Sequence, residues 1–121
     1  MQIRSEQLSQ IGQSRSEDFE NRLIAHLRKH HQDQLRQYPD EQVRNYVRKC
    51  QFRAESLYEI MTEQGIACYA QIPLVIGDDF EIDPAWKTIP AILGRRSFEQ
   101  NTRAKMALAF AYQLKALKRK S

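Results

Sequence analysis

The sequence predicts an all-α fold: a compact single-domain bundle of about four main helices, with a short extra helix after an acidic loop. Three observations carry this. Apolar residues recur three and four positions apart through long charged stretches, the spacing that puts them on one face of a helix. No stretch combines period-two alternation with turn chemistry. The helix-breaking residues concentrate in one segment, Thr62 to Gly94, which holds the only Trp, three of the four Pro and three of the four Gly. That middle reads as the buried segment and bent connection against which the flanking helices pack.

The first helix is predicted between Ser5 and about His30, with Leu8, Ile11, Phe19, Leu23 and Leu27 on one stripe. Glu17, Glu20, Arg28 and Lys29 fall mostly on other faces. Gly12 and its neighbours Ser9, Ser14 and Ser16 weaken the first half, so Ser16 or Asp18 is the predicted cap of a shorter helix starting there. His31 to Tyr38 is a polar connector with a helical turn around Leu35. Pro39 followed by Asp40 and Glu41 suits a helix start, because proline has no N–H to leave unpaired and acids favour the positive end of the helix. Val43, Tyr46, Val47, Cys50, Ala54 and Leu57 then form the apolar face of a helix ending near Tyr58 to Met61.

Thr62 is the predicted cap of the next helix, with Glu63 in its first turn and Ile66, Tyr69, Ala70, Ile72 and Ile76 buried. Pro73 is expected to kink this helix near Tyr69 or stop it, and Gly77 to end it in the left-handed conformation. The run Ile72 to Ile76 is the one place where strand and helix are hard to separate by pattern. In the acidic loop Asp78 to Asp83, Phe80 and Ile82 are expected to turn inward. Pro84 then starts a short helix with Trp86, Ile89, Ile92 and Leu93, ended by Gly94. Ser97 and Gln100 match a capping box for a final helix from Phe98 to about Lys118. Its inner stripe is predicted as Thr102, Met106, Ala109, Phe110, Gln113, Leu114 and Leu117. The alanines at 104, 107, 109, 111 and 116 raise helix propensity and permit close helix approach.

A chain of 121 residues, 41% hydrophobic and 28% charged, is large and apolar enough for one core, so residues 1–121 read as a single domain with fraying expected only at 1–5 and 118–121. The formal charge of +4 is too mild to identify a partner. Cys50 and Cys68 show no CxxC or metal-ligand spacing and lie in apolar patterns, which favours reduced core thiols over a disulfide. The polar N-terminus has no apolar signal region, and lipidation motifs are absent. The longest apolar run, Ile72 to Ile76, is far short of the roughly 18–20 residues that span a bilayer. A cytoplasmic protein with no membrane contact is the expectation.

Candidates for chemistry meet plainer explanations. His26 and His30 are spaced i, i+4 with His31 adjacent, yet the intervening Leu-Arg-Lys adds two cations and no third ligand, so no metal is assigned. The loop carboxylates Asp78, Asp79, Glu81 and Asp83 depart from an EF-hand, with no glycine at its sixth position and Ile89 where the twelfth-position Glu belongs. With no GxSxG and no glycine-rich phosphate loop, the sequence supports neither an enzyme nor a cofactor. Two binding readings stay open. In the first, Asp78, Asp79, Glu81, Asp83 and Trp86 form a protein-recognition surface. In the second, Arg44, Arg48, Lys49 and Arg53 together with Lys115, Lys118, Arg119 and Lys120 contact nucleic acid. A homodimer through the alanine-rich last helix is also open, without a heptad seam to demand it.

The segment from Phe19 to Trp86 resembles small helical bacterial proteins associated with type VI secretion effector loci. The resemblance rests on Phe19…Leu23-Ile24-Ala25-His26-Leu27, Tyr58…Thr62-Glu63, the apolar helix closed by Gly77, then Asp79-Phe80 and Asp83-Pro84…Trp86. Pro73 and the long alanine-rich final helix depart from that pattern. The resemblance implies a non-enzymatic accessory protein that binds a toxin-bearing effector or its delivery spike, as an adaptor or an immunity-like partner. It supplies no catalytic residue.

Overall fold

Helical periodicity governs most of the described residues. The computed structural model describes residues 17–120, and among them there is no strand. Helix α1 covers 17–30, α2 Gln32–Leu35, α3 Asp40–Tyr58 and α4 Glu63–Ile76; a 3-10 turn, Pro84–Trp86, precedes α5, Thr88–Leu93, and α6 is Gln100–Lys120. Leu8, Ile11, Gly12 and Ser16 lie outside the described residues. Two compact units result, one ending at Val47 and the other beginning at Arg48, so α3 contributes to both.

In the first unit the predicted stripe of α1 is buried: Phe19, Leu23 and Leu27, joined by Ile24, with Leu35 from α2 and Val43 and Val47 from α3. Asp18 is not a cap. It sits inside α1 and accepts from Arg22 Nε at 2.9 Å, one turn on. Glu20 is buried rather than outward, because Arg44 Nη1 on α3 reaches its carboxylate at 2.9 Å and supplies the counter-charge that burial requires. Arg28 holds the connector in place. Its guanidinium donates to the carbonyls of Leu35 (3.0 Å) and Tyr38 (2.6 Å) and to Asp40 Oδ1 (2.9 Å), satisfying groups where α2 ends and α3 begins.

The second unit is built on α6 lying against α4 and α5. Helix α3 ends at Tyr58; Glu59 takes a positive φ of 55°, and the Ile60 N–H then donates to Ala54 O at 3.0 Å while its side chain is fully buried. Thr62 caps α4 as predicted, its Oγ1 accepting from Gly65 N at 3.1 Å. Gly65 is required there: an added Cβ would meet Ile60 Cγ2 at 2.6 Å and Thr62 Oγ1 at 2.9 Å.

Pro73 does not stop α4, which continues to Ile76 and so types the Ile72 to Ile76 run as helix. Proline costs the helix one donor, but only its last turn remains, Ile72 and Val75 are buried there, and the Gly77 N–H returns to Pro73 O at 2.8 Å. Gly77 has φ 103° and ψ 157°, a glycine conformation more extended than the left-handed helical one expected. The predicted capping box is not formed. Glu99 accepts from the Asn101 and Thr102 N–H groups, and Gln100 Oε1 reaches across to accept from Met61 N and Thr62 N. Asn101 is also hydrogen-bonded to Thr62 Oγ1, so the N-terminus of α6 is stitched to the turn that starts α4.

Arg103 lies in the base of this unit, buried, with three backbone carbonyls as its partners: Tyr58 (2.8 Å), Leu93 (2.6 Å) and Phe98 (3.1 Å). Tyr58 and Leu93 are the last residues of α3 and α5, where unpaired carbonyls and the negative ends of two helix dipoles stabilise a cation without a carboxylate. Burial nonetheless holds the Arg103 guanidinium below its ordinary value.

Candidate functional site

Two predicted surfaces and one unpredicted surface compete as the site. The acidic segment follows α4 and folds back on itself, with the N–H groups of Ile82 (3.0 Å) and Asp83 (2.9 Å) both donating to Asp79 O. Phe80 turns inward and is buried, while Ile82 is 82% exposed, against the expectation that both pack. The bonds from Ile82 and Asp83 to Asp79 O make this a helical turn, in which side chains two positions apart point nearly opposite ways, so Phe80 and Glu81 face the helices and Ile82 is carried to the outside.

Glu81 is therefore not a surface acid. Its carboxylate pairs with Arg53 of α3 and accepts from the hydroxyls of Tyr58 and Tyr69, each 2.8 Å from Oε2. Arg53 Nε also donates to Tyr69 Oη at 3.4 Å, and the Phe80 ring meets Tyr69 edge-on at 6.0 Å between centroids. Burial first, then the bond to Glu81, pushes the Tyr58 hydroxyl well above its ordinary titration range; burial does the same to Tyr69. The bonds to Glu81 and Tyr69 raise Arg53. These four groups saturate one another, which suits a structural clamp between α3, α4 and the loop.

The other acids serve different ends. Asp83 accepts from Ala85 N at 2.9 Å and caps the 3-10 turn, leaving Asp78 and Asp79 outward. Trp86 is half-buried, with Lys118 Nζ 4.5 Å from its ring centroid, a cation–π contact near the end of α6. The predicted acidic cluster is thus divided among a core pair, a cap and two exposed carboxylates. The residues that carry the resemblance also serve the fold, Thr62 and Asp83 as caps, Gly77 as a helix end and Phe80 as core.

Of the predicted basic residues, Arg44 is held by Glu20 and by Asn21 Oδ1 (2.7 Å), and Arg53 by Glu81. Arg48 and Lys49 are exposed, Lys115 is half-buried, and the side chains of Arg119 and Lys120 lie outside the described residues. Arg44 and Arg53 are therefore committed to carboxylates, which weakens the demand they would place on phosphate. The His26 and His30 rings sit 4.3 Å apart, and His31 is buried. Burial, then the neighbouring His30, His31 and Lys29, holds the His26 imidazole below its ordinary value. No three His, Cys, Asp or Glu side chains among the described residues are grouped to hold a metal ion. Cys50 and Cys68 are not in a disulfide, and burial pushes the Cys68 thiol up.

The third surface is α6. Its buried residues are Ala104, Ala107 and Ala111, all at 0% exposure, with Arg103 beside them. The predicted inner stripe lies on the other side: Met106 is 41% and Leu117 63% exposed, Thr102, Ala109 and Gln113 are exposed, and Phe110 and Leu114 are half-buried. The reason is distance. Alanine lets the α6 backbone approach α4 closely, as the small Gly65 does from the other side, and a methionine or leucine in those positions would force the helices apart. The helix has two apolar faces, and the core takes the smaller one. Periodicity alone ranks the larger residues as inner, so this surface was hidden from sequence reasoning; the regular spacing of Ala104, Ala107 and Ala111 was the available signal.

No helix among the described residues is long and apolar enough to cross a membrane. No protein-family model, curated protein or solved structure matches this chain.

Proposed function

We propose that this chain is a non-enzymatic protein-binding module. The observation that carries the reading is the outward face of α6, where Met106 and Leu117 stand exposed on a helix whose alanine face is already satisfied. The polar groups that the fold does bring together support it. Glu81, Tyr58, Tyr69 and Arg53 saturate one another, and Arg103 is bound to three carbonyls. The resemblance over Phe19 to Trp86 makes a secreted effector or its delivery spike the first partner to test, with the chain acting as adaptor or immunity-like protein.

A second reading, nucleic-acid binding, is favoured by one feature: besides the buried Arg103, α6 carries Lys105, Lys115, Lys118, Arg119 and Lys120 and no acidic residue. A pull-down of the tagged full chain from its native cells, at low and high salt with nuclease in parallel, separates the two. A stoichiometric protein retained after nuclease and high salt is the expected result. Recovery of nucleic acid that nuclease or salt removes overturns the protein-binding reading in favour of the second.

A further inference from the structure

We infer that His26 and His30 form a two-imidazole site for a divalent transition-metal ion, with Cu(II) the ion that fits it best. The inference does not depend on the protein-binding reading. Both side chains are exposed on α1, one turn apart, and their ring centroids lie 4.3 Å from each other. Two imidazoles bound at right angles to one ion, with bonds of about 2.0 Å, hold their centroids about 4.4 Å apart, whereas a tetrahedral angle places them about 5 Å apart. The separation in α1 therefore matches the tetragonal geometry of Cu(II), which also binds nitrogen donors more tightly than its first-row neighbours. The folded helix holds the second ring beside the first, so the second bond forms at a high effective concentration.

Two objections stand against a metal at this spacing: the cations Arg28 and Lys29 between the histidines, and the lack of a third ligand. The fold answers most of the first. The Arg28 guanidinium is spent on Asp40 and on the carbonyls of Leu35 and Tyr38, and Arg22, one turn before His26, is paired with Asp18. Lys29 remains, exposed and screened by water and salt. Burial, then His30, His31 and Lys29, holds the His26 imidazole below its ordinary value, which keeps the ring neutral at pH 7 and able to ligate. The second objection excludes only the closed, four-ligand structural type, because water fills the remaining positions of an exposed tetragonal ion. His31 is buried and is not part of the pair.

The test titrates Cu(II) into the full chain, purified without a histidine tag, reading affinity by calorimetry and coordination by electron paramagnetic resonance. Nitrogen hyperfine structure from two imidazoles is the expected result. His26→Gln and His30→Gln, both at exposed positions, are each expected to weaken binding about tenfold or more by breaking the chelate. A spectrum with a single imidazole, or either variant binding as tightly as the parent, overturns the inference. A readout that needs no substitution is the NMR spectrum of the parent chain with substoichiometric Cu(II). Broadening of the ring protons of both His26 and His30 supports the site, and broadening at only one of them, or at neither, overturns it.

Discussion

Tyr69 donates its phenolic hydrogen to Oε2 of Glu81 at 2.8 Å, joining the middle of α4 to a loop twelve residues further along the chain. The same oxygen accepts from Tyr58 at the end of α3, and Arg53 supplies the counter-charge. A carboxylate with a side chain only 9% exposed is tolerated here because three donors replace the water it loses.

Removing that carboxylate has an expected cost. Glu81→Ala leaves two buried hydroxyls without an acceptor and is expected to lose about 2–3 kcal/mol in urea denaturation. Arg53→Met is expected to lose about 1 kcal/mol or less, since Arg53 is 39% exposed and water replaces much of the ion pair. Equal losses for the two variants would contradict the assignment of Glu81 as the centre of the cluster.

The two tyrosines set an alkaline limit. Both hydroxyls are raised above their ordinary value of 10.0 in the fold. Below that pH the folded and unfolded chains both hold these protons, and stability does not depend on them. Above it the unfolded chain releases protons that the folded chain keeps, so each tyrosine lowers stability by about 1.4 kcal/mol per pH unit until its folded value is reached. Unfolding midpoints between about pH 9 and 11 are expected to fall less steeply for Tyr58→Phe/Tyr69→Phe than for the parent chain.

Glycines 65 and 77 are needed for opposite reasons. Gly65→Ala gains helix propensity of about 1 kcal/mol, but its Cβ meets Ile60 and the capping Thr62 closer than contact allows, and a net loss of about 1–2 kcal/mol is expected. Gly77→Ala has open space around it and is strained only by φ 103°, for about 1–2 kcal/mol. Thermal denaturation checks both. Ile60→Ala, which removes the Cγ2 that the new Cβ meets, is expected to cost less in the Gly65→Ala background than in the parent chain, and as much in the Gly77→Ala background as in the parent.

The orientation of α6 is testable by a pair of substitutions. Ala107→Leu enlarges the face against α4 and is expected to lose about 2 kcal/mol or more. Met106→Lys changes the outer face and is expected to alter stability by no more than about 0.5 kcal/mol while weakening partner capture. A large loss of stability from Met106→Lys with little effect of Ala107→Leu would reverse the orientation.

The sequence by itself determined the local structure. Apolar spacing marked the stretches that became α1, α3, α4 and α6, and Thr62, Asp40 with Pro39, and Gly77 marked ends that depend on a few neighbouring residues. It determined little of the candidate site. Leu57 is 49% exposed although it continues the apolar pattern of α3, and Tyr58, the next residue, is buried in its place. Glu20 and Glu81 look like surface acids until Arg44 and Arg53 are brought to them from 24 and 28 residues away. The face of α6 that turns inward was likewise a tertiary decision. Periodicity reports that a helix has an apolar stripe, but the separation of α4 and α6 decides whether large or small side chains fit between them, and here only alanine does.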